Sequence, residues 1–211
     1  MINNLTNQFP ECNIRLISTK EEFNLDILNQ IKPDKIFIPH WSYIIPEEIY
    51  STYECIVFHM TDLPYGRGGS PLQNLIVRKH KETQISALKV DKGIDTGDIY
   101  LKSELSLLGT AEEIFIRANK QIEKMIIQII QEKLMPYPQE GSPVLFVRRK
   151  PEDSNIENLQ NIDDIFDYIR MLDAEGYPKA YLEFNNFKLE FSRASLKSDK
   201  SIIADVRIIQ K

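Results

Sequence analysis

Residues 54–76 read ECIVFHMTDLPYGRGGSPLQNLI, and residues 89–100 read KVDKGIDTGDIY. The first stretch opens on a short apolar run, Cys55 to Phe58, of the kind that forms a buried strand. The run ends on His59 and breaks at once into Thr61-Asp62-Leu63-Pro64-Tyr65-Gly66-Arg67-Gly68-Gly69. Three glycines, a proline and an arginine after a buried strand predict a loop whose backbone approaches a ligand closely. Ser70-Pro71 reads as a helix start, with proline at the first helical position. The second stretch places Asp95 and Asp98 around Gly97 at the mouth of the next strand. A histidine at the carboxyl end of one strand and a carboxylate at the next connection fit the crevice rule for open α/β sheets.

Outward from this centre the chain alternates strands and helices. Asn13–Ile17 reads as a strand, and Ser18 or Thr19 caps a helix carrying Phe23, Leu25, Ile27 and Leu28. Lys35–Ile38 is a further strand, followed by the loop Pro39-His40-Trp41-Ser42 and a short helix opened by Pro46. Thr83–Val90 and Ile99–Leu105 make strands joined through the Asp95 turn. Thr110 and Glu113 form a capping box at the start of the longest helix. Its Ile114, Ala118, Ile122, Met125, Ile126 and Ile129 recur at helical spacing. From Gly141 the texture changes. A cationic run, Arg148-Arg149-Lys150, precedes a helix over 162–172 and three strands, over 180–184, 187–192 and 202–209. The expected class is α/β: a doubly wound, mostly parallel, Rossmann-like sheet over residues 1–140, then a small α+β C-terminal region over 141–211.

Composition bounds the function. The chain has 211 residues, 42% hydrophobic and 9% aromatic, enough for a sizeable core. A net charge of −5 disfavours a general nucleic-acid or anionic-membrane role. No segment reaches the roughly 18 apolar residues of a membrane span, and the N-terminus lacks the pattern of a signal peptide. Cys12 and Cys55 give neither a disulfide framework nor metal spacing. A cytoplasmic protein without a structural metal is expected.

The compound pattern of His59, Leu63-Pro64, Arg67-Gly68 and Asp95-Thr96-Gly97-Asp98, with Asp95 36 residues after His59, resembles the folate-dependent formyltransferases. That family includes methionyl-tRNA, glycinamide ribonucleotide and sugar-nucleotide N-formyltransferases. The resemblance runs from about Lys35 to Gly109. The segment FHMTDLPYGRGGSPLQNLI looks closest to the small bacterial sugar N-formyltransferases. One departure stands out: where the family reads Asn-x-His, this chain has Val57, and a valine cannot hydrogen-bond an oxyanion.

What the resemblance implies can be given residue by residue. His59 would bond the oxyanion that develops as an amine attacks a formyl carbon, and Asp95 would hold that histidine charged or relay the amine proton. Asn74, on the helix after the glycine loop, is one candidate to replace the missing asparagine amide, and loop backbone N–H groups are another. Trp41, Ser42, Thr96, Gly97 and Asp98 are expected at the folate, with 10-formyltetrahydrofolate as formyl donor. Arg67, Gly68, Arg148, Arg149 and Lys150 are expected at the second substrate, with a loop-closing ion pair as the other reading of Arg67.

The charge of the tail bears on the substrate. Residues 151–211 hold 12 acidic and 8 basic side chains, a balance of −4, which is the wrong sign for docking a polyanion. The expectation is therefore an N-formyltransferase acting on a nucleotide-linked amino sugar for surface-glycan or nonulosonic-acid synthesis. It includes no nucleic-acid partner, no membrane, and a homodimer through the C-terminal region. A methionyl-tRNA formyltransferase and a catalytically weak folate- or nucleotide-sugar-binding protein are the alternatives.

Overall fold

The computed structural model describes residues 1–41 and 43–211; Ser42, expected at the folate, lies outside the described residues. In chain order the helices are α1 (Ile2–Gln8), α2 (Leu25–Ile31), α3 (Glu47–Tyr50), α4 (Pro71–Val77), α5 (Ala111–Gln131) and α6 (Ile162–Arg170). The strands are β1 (Ile36–Ile38), β2 (Cys55–His59), β3 (Tyr65–Gly68), β4 (Glu82–Lys89), β5 (Ile99–Ser106), β6 (Val144–Phe146), β7 (Ala180–Phe184), β8 (Phe187–Leu196) and β9 (Ile202–Gln210). The chain divides into two compact units. The first is Met1–Arg67, Gln84–Leu105 and Ala118–Leu145; the second is Gly68–Thr83, Ser106–Arg117 and Phe146–Lys211.

The first unit is built on a four-stranded sheet ordered β1-β2-β4-β5. β1 runs parallel to β2, with Ile38 opposite Val57. β4 runs antiparallel to β2, with Ile56 opposite Lys89 and His59 opposite Ser86. This Rossmann-like α/β sheet is therefore mixed where a mostly parallel one was expected. The connection over 60–81 delivers the chain to β4 at the end where β2 stops, so β4 runs back along it without a crossover.

Burial explains β2. Cys55 and Ile56 are 1% and 0% exposed, and Val57 packs against two apolar clusters at once. One contains Leu28, Ile38, Ile45 and Ile49; the other contains Leu63, Leu88 and Ile99. A strand fixed on both faces holds its last residue, His59, in one place. On α5, Ala118, Ile122, Met125, Ile126 and Ile129 are buried at the spacing of one helical face.

Two expectations fail near the N-terminus. Asn13–Ile17 is not a strand: Ile17 anchors on the core, but Leu16 is 67% exposed, so the apolar run serves as an anchor. The expected cap at Ser18-Thr19 does form. Glu22 N–H donates to Thr19 Oγ1 (3.3 Å), and Ser18 N–H donates to Glu22 Oε2 (3.1 Å). It encloses only a turn, because Phe23 is drawn into the core. The helix starts later, where Asn24 Oδ1 accepts from Ile27 N–H at 3.0 Å.

In the second unit β7, β8 and β9 form an antiparallel sheet. Asn161 caps α6 through Asp163 N–H at 2.9 Å. Gln73 on α4 donates to Met171 O at 3.2 Å just beyond α6, and Lys79 pairs with Asp164 and Asp167. The capping box at Thr110 is present: Glu113 Oε2 accepts from Thr110 N–H at 2.8 Å, and Thr110 Oγ1 accepts from Glu113 N–H at 3.3 Å. Among the described residues no helix is long and apolar enough to cross a membrane, and no group of three or more His, Cys, Asp or Glu could hold a metal ion.

The two cysteines give a test of the packing. Cys12 is exposed and Cys55 buried; burial, aided by the Glu54 charge, pushes the Cys55 thiol up to about 12. A thiol reagent at pH 8 should modify Cys12 at once and Cys55 only on unfolding. The unfolded chain releases the Cys55 proton first, so this group lowers stability as pH climbs from the ordinary thiol range toward about 12. Equal rates for the two thiols in the folded protein would contradict this packing.

Candidate functional site

His59 is 9% exposed, so each ring nitrogen needs a partner. Nε2 lies 2.8 Å from Gly66 O; a carbonyl only accepts, so Nε2 carries a proton and donates it. Nδ1 faces Asp95 Oδ2 at 3.5 Å. That is longer than a good hydrogen bond, but within reach of one if the loop tightens.

Gly66, on β3, and Asp95, on the connection from β4 to β5, both lie in segments that the protein holds by side chains. After β2, buried Ser86 Oγ donates to Thr61 O (2.7 Å) and accepts from Leu63 N–H (3.3 Å). Lys102 Nζ reaches Asp62 Oδ1 (2.5 Å) and Leu63 O (2.6 Å). On the Asp95 side, Asp91 Oδ1 accepts from Gly93 N–H (2.9 Å) and Thr96 Oγ1 (2.6 Å), an Asx-type turn. Gly97 is required there: a Cβ would meet Lys89 O at 1.7 Å. Asp95 itself has φ +54°, a left-handed conformation costing a non-glycine residue about 1–2 kcal/mol and persisting where its surroundings impose it.

The surroundings include Gln139, which sequence reasoning missed. Its Nε2 donates to Asp95 O (2.9 Å) and Gly97 O (2.8 Å). Its Oε1 accepts from Arg67 Nε (3.1 Å) and Nη2 (2.7 Å). Nothing local marks Gln139, which stands in the irregular Pro138-Gln139-Glu140 stretch. Asp91 could have been found, because Asp-Lys-Gly is an Asx-turn sequence.

The structure revises several assignments. Arg67 was expected to meet substrate or Asp62; two of its nitrogens engage Gln139, and Asp62 pairs with Lys102 instead. The Thr96 hydroxyl is engaged by Asp91. Asp98 is exposed, and its carbonyl accepts from Lys89 N–H at 2.8 Å. Trp41 packs edge-on to Phe23 (5.2 Å) and Tyr43 (5.4 Å), with its indole N–H buried and without an acceptor.

The other expected residues belong to the second unit. Gly68, at φ +108°, lets a strand carbonyl approach: a Cβ would meet Phe146 O at 2.4 Å. Its role is to accommodate the protein's own backbone. Asn74 cannot serve as the replacement oxyanion donor. Its amide nitrogen is already shared among Gly69 O (3.0 Å), Ser70 O (3.1 Å) and Val147 O (2.9 Å), and its oxygen accepts from Arg78. The run 148–150 is not one cationic cluster. Arg149 turns to Asp153 O and stacks over Tyr168 at 5.1 Å, while Arg148 and Lys150 are exposed.

Comparison with known proteins fits this geometry. The model of the formyl transferase family matches residues 5–130, the segment that carries His59 and Asp95. The chain belongs to the formyl transferase family. A second model, described as the methionyl-tRNA formyltransferase C-terminal domain, matches residues 151–209.

A methionyl-tRNA formyltransferase from Clostridium thermocellum is 51% identical. The match covers 100% of this chain and 94% of that one, with a TM-score of 0.94. A methionyl-tRNA formyltransferase from Rickettsia bellii is 26% identical over 199 residues, 91% of this chain; the chain spans 65% of that relative's length. A sugar N-formyltransferase from Shewanella is 16% identical over 97% of this chain and 90% of that one, with a TM-score of 0.67, a likeness of fold alone.

These matches overturn the nucleotide-sugar reading, its exclusion of nucleic acid, and the claim of closest likeness to sugar enzymes. The error in the charge argument is physical. Counting from Pro151 omitted Arg148, Arg149 and Lys150; including them moves the balance from −4 to −1. A segment's net charge also says nothing of its local field.

Asn74→Ala should lower stability by about 1–3 kcal/mol, since three carbonyls and Arg78 lose their partner. Urea unfolding measures it, and a midpoint equal to wild type would contradict the structural role.

Proposed function

We propose that this formyl transferase family member is a methionyl-tRNA formyltransferase. 10-Formyltetrahydrofolate is the donor, and the amine of the methionine carried on tRNA is the acceptor. The observation that carries the reading is the 51% identity with the Clostridium thermocellum protein over the whole chain. The C-terminal match over 151–209 supports it. In this reading residues 1–140 perform the transfer, residues 141–211 serve the tRNA, and the protein works in the cytoplasm.

When bound, 10-formyltetrahydrofolate supplies the carbon that the amine attacks. His59 Nε2–H, held in the free protein by the single acceptor Gly66 O at 2.8 Å, exchanges that carbonyl for the developing oxyanion, whose charge makes it the stronger acceptor. Asp95, 3.5 Å from Nδ1, orients the ring and takes the proton that the amine loses. Val57, partly buried against two apolar clusters, leaves His59 without the amide neighbour of the family pattern. The buried, unpaired indole N–H of Trp41 suits a flat ring with acceptor edges, such as a pterin. Exposed Arg148 and Lys150 suit contacts to tRNA phosphates, which position without reading sequence.

His59→Ala should reduce formylation of Met-tRNA by about 100- to 1,000-fold, the loss typical of one oxyanion donor. Asp95→Asn should lower kcat more than it raises KM. Initial-rate kinetics with both substrates check this; a His59→Ala enzyme within a few-fold of wild type would sink the assignment.

A further inference from the structure

A closed circuit of contacts runs around the imidazole. His59 Nε2–H donates to Gly66 O at 2.8 Å. The next residue, Arg67, places Nε and Nη2 on Gln139 Oε1 at 3.1 and 2.7 Å. Gln139 Nε2 donates to Asp95 O and Gly97 O at 2.9 and 2.8 Å. Asp95 Oδ2 returns to His59 Nδ1 at 3.5 Å. All six residues lie in the first compact unit.

We infer that Gln139 is a positioning residue that sets the His59–Asp95 geometry by tying β3 at Gly66–Arg67 to the Asp95–Gly97 turn. This rests on the reading of His59 and Asp95 given under the proposed function. A primary amide suits the task because it accepts on one side and donates twice on the other. Arg67 offers only donors, and the two loop carbonyls are only acceptors. Gln139 meets the donors of the first with its carbonyl oxygen and the acceptors of the second with its amide N–H groups, so one side chain joins the two segments.

Three features make this more than ordinary loop packing. Asp95 is held at φ +54°, a conformation that a side chain adopts where neighbours impose it, and Gln139 grips its own carbonyl. Nδ1 and Oδ2 stand at 3.5 Å, the edge of contact, so a small loop shift decides whether the pair engages. Gly97, the second carbonyl that Gln139 holds, is wedged against Lys89 O, so the loop is gripped at two points and cannot pivot about one.

Gln139→Glu tests the inference. An ionised glutamate keeps the acceptor for Arg67 and strengthens it, but offers no proton to Asp95 O or Gly97 O. It breaks one half of the tie and leaves the other. The expected result is a fall in kcat of up to about 100-fold, as for a misplaced catalytic group. KM for Met-tRNA should stay within a few-fold, and the protein should remain folded by circular dichroism. Arg67→Met should give a smaller fall, because Gln139 keeps its own two donor bonds.

The second readout needs no turnover: ¹⁵N NMR of the histidine rings, with the His59 signals identified by His59→Asn. In Gln139→Glu the His59 Nδ1 signal should move while those of His40 and His80 stay. A Gln139→Glu protein with wild-type kcat and unmoved His59 signals overturns the inference. So does one that only loses stability while both readouts hold. If the wild type itself formylates nothing, the proposed function fails, and the His59 signals alone decide the role of Gln139.

Discussion

A histidine that is almost fully buried has to satisfy both ring nitrogens, and in this chain that requirement ties otherwise separate segments together. His59 bonds the carbonyl of Gly66 and faces the carboxylate of Asp95. The first lies on β3, just past the turn that follows its own strand. The second lies on the turn between the next two strands of the sheet. Each loop then needs its own supports: Ser86 and Lys102 for one, Asp91 and Gln139 for the other. The site is thus a set of hydrogen-bonded loops placed by a rigid strand, which is how α/β sheets commonly position chemistry.

What makes the strand rigid is apolar. Cys55 and Ile56 are sealed, and Val57, partly buried, touches two apolar clusters. Val57 occupies the position where the family pattern has an amide. Here it strengthens the packing beneath the histidine while removing a donor beside it. Asn74 does not make up the difference, since its amide holds the glycine loop to the segment at Val147.

Much of this was legible in the sequence because it is local. The buried run ending on His59, the proline-opened helix α4, the capping box at Thr110 and the helical face of α5 all follow from spacing and side-chain type. The pairing of His59 with Asp95 came from a compound motif. What was not legible is long-range or summed. Gln139 meets Asp95 and Arg67 only once the fold has closed. The antiparallel direction of β4 depends on which end of β2 the connection returns to. The acceptor substrate was misjudged from net charge, which ignores the cations just before the counted segment. Asn74 was misjudged because a helix position does not disclose which carbonyls will surround an amide.

The measurement that tests the account most directly is the mass of the amino acid released from Met-tRNA after incubation with the full chain and 10-formyltetrahydrofolate. The account predicts N-formylmethionine, with none formed when the donor is withheld. Unmodified methionine, from a folded protein that binds both the donor and the tRNA, would contradict it.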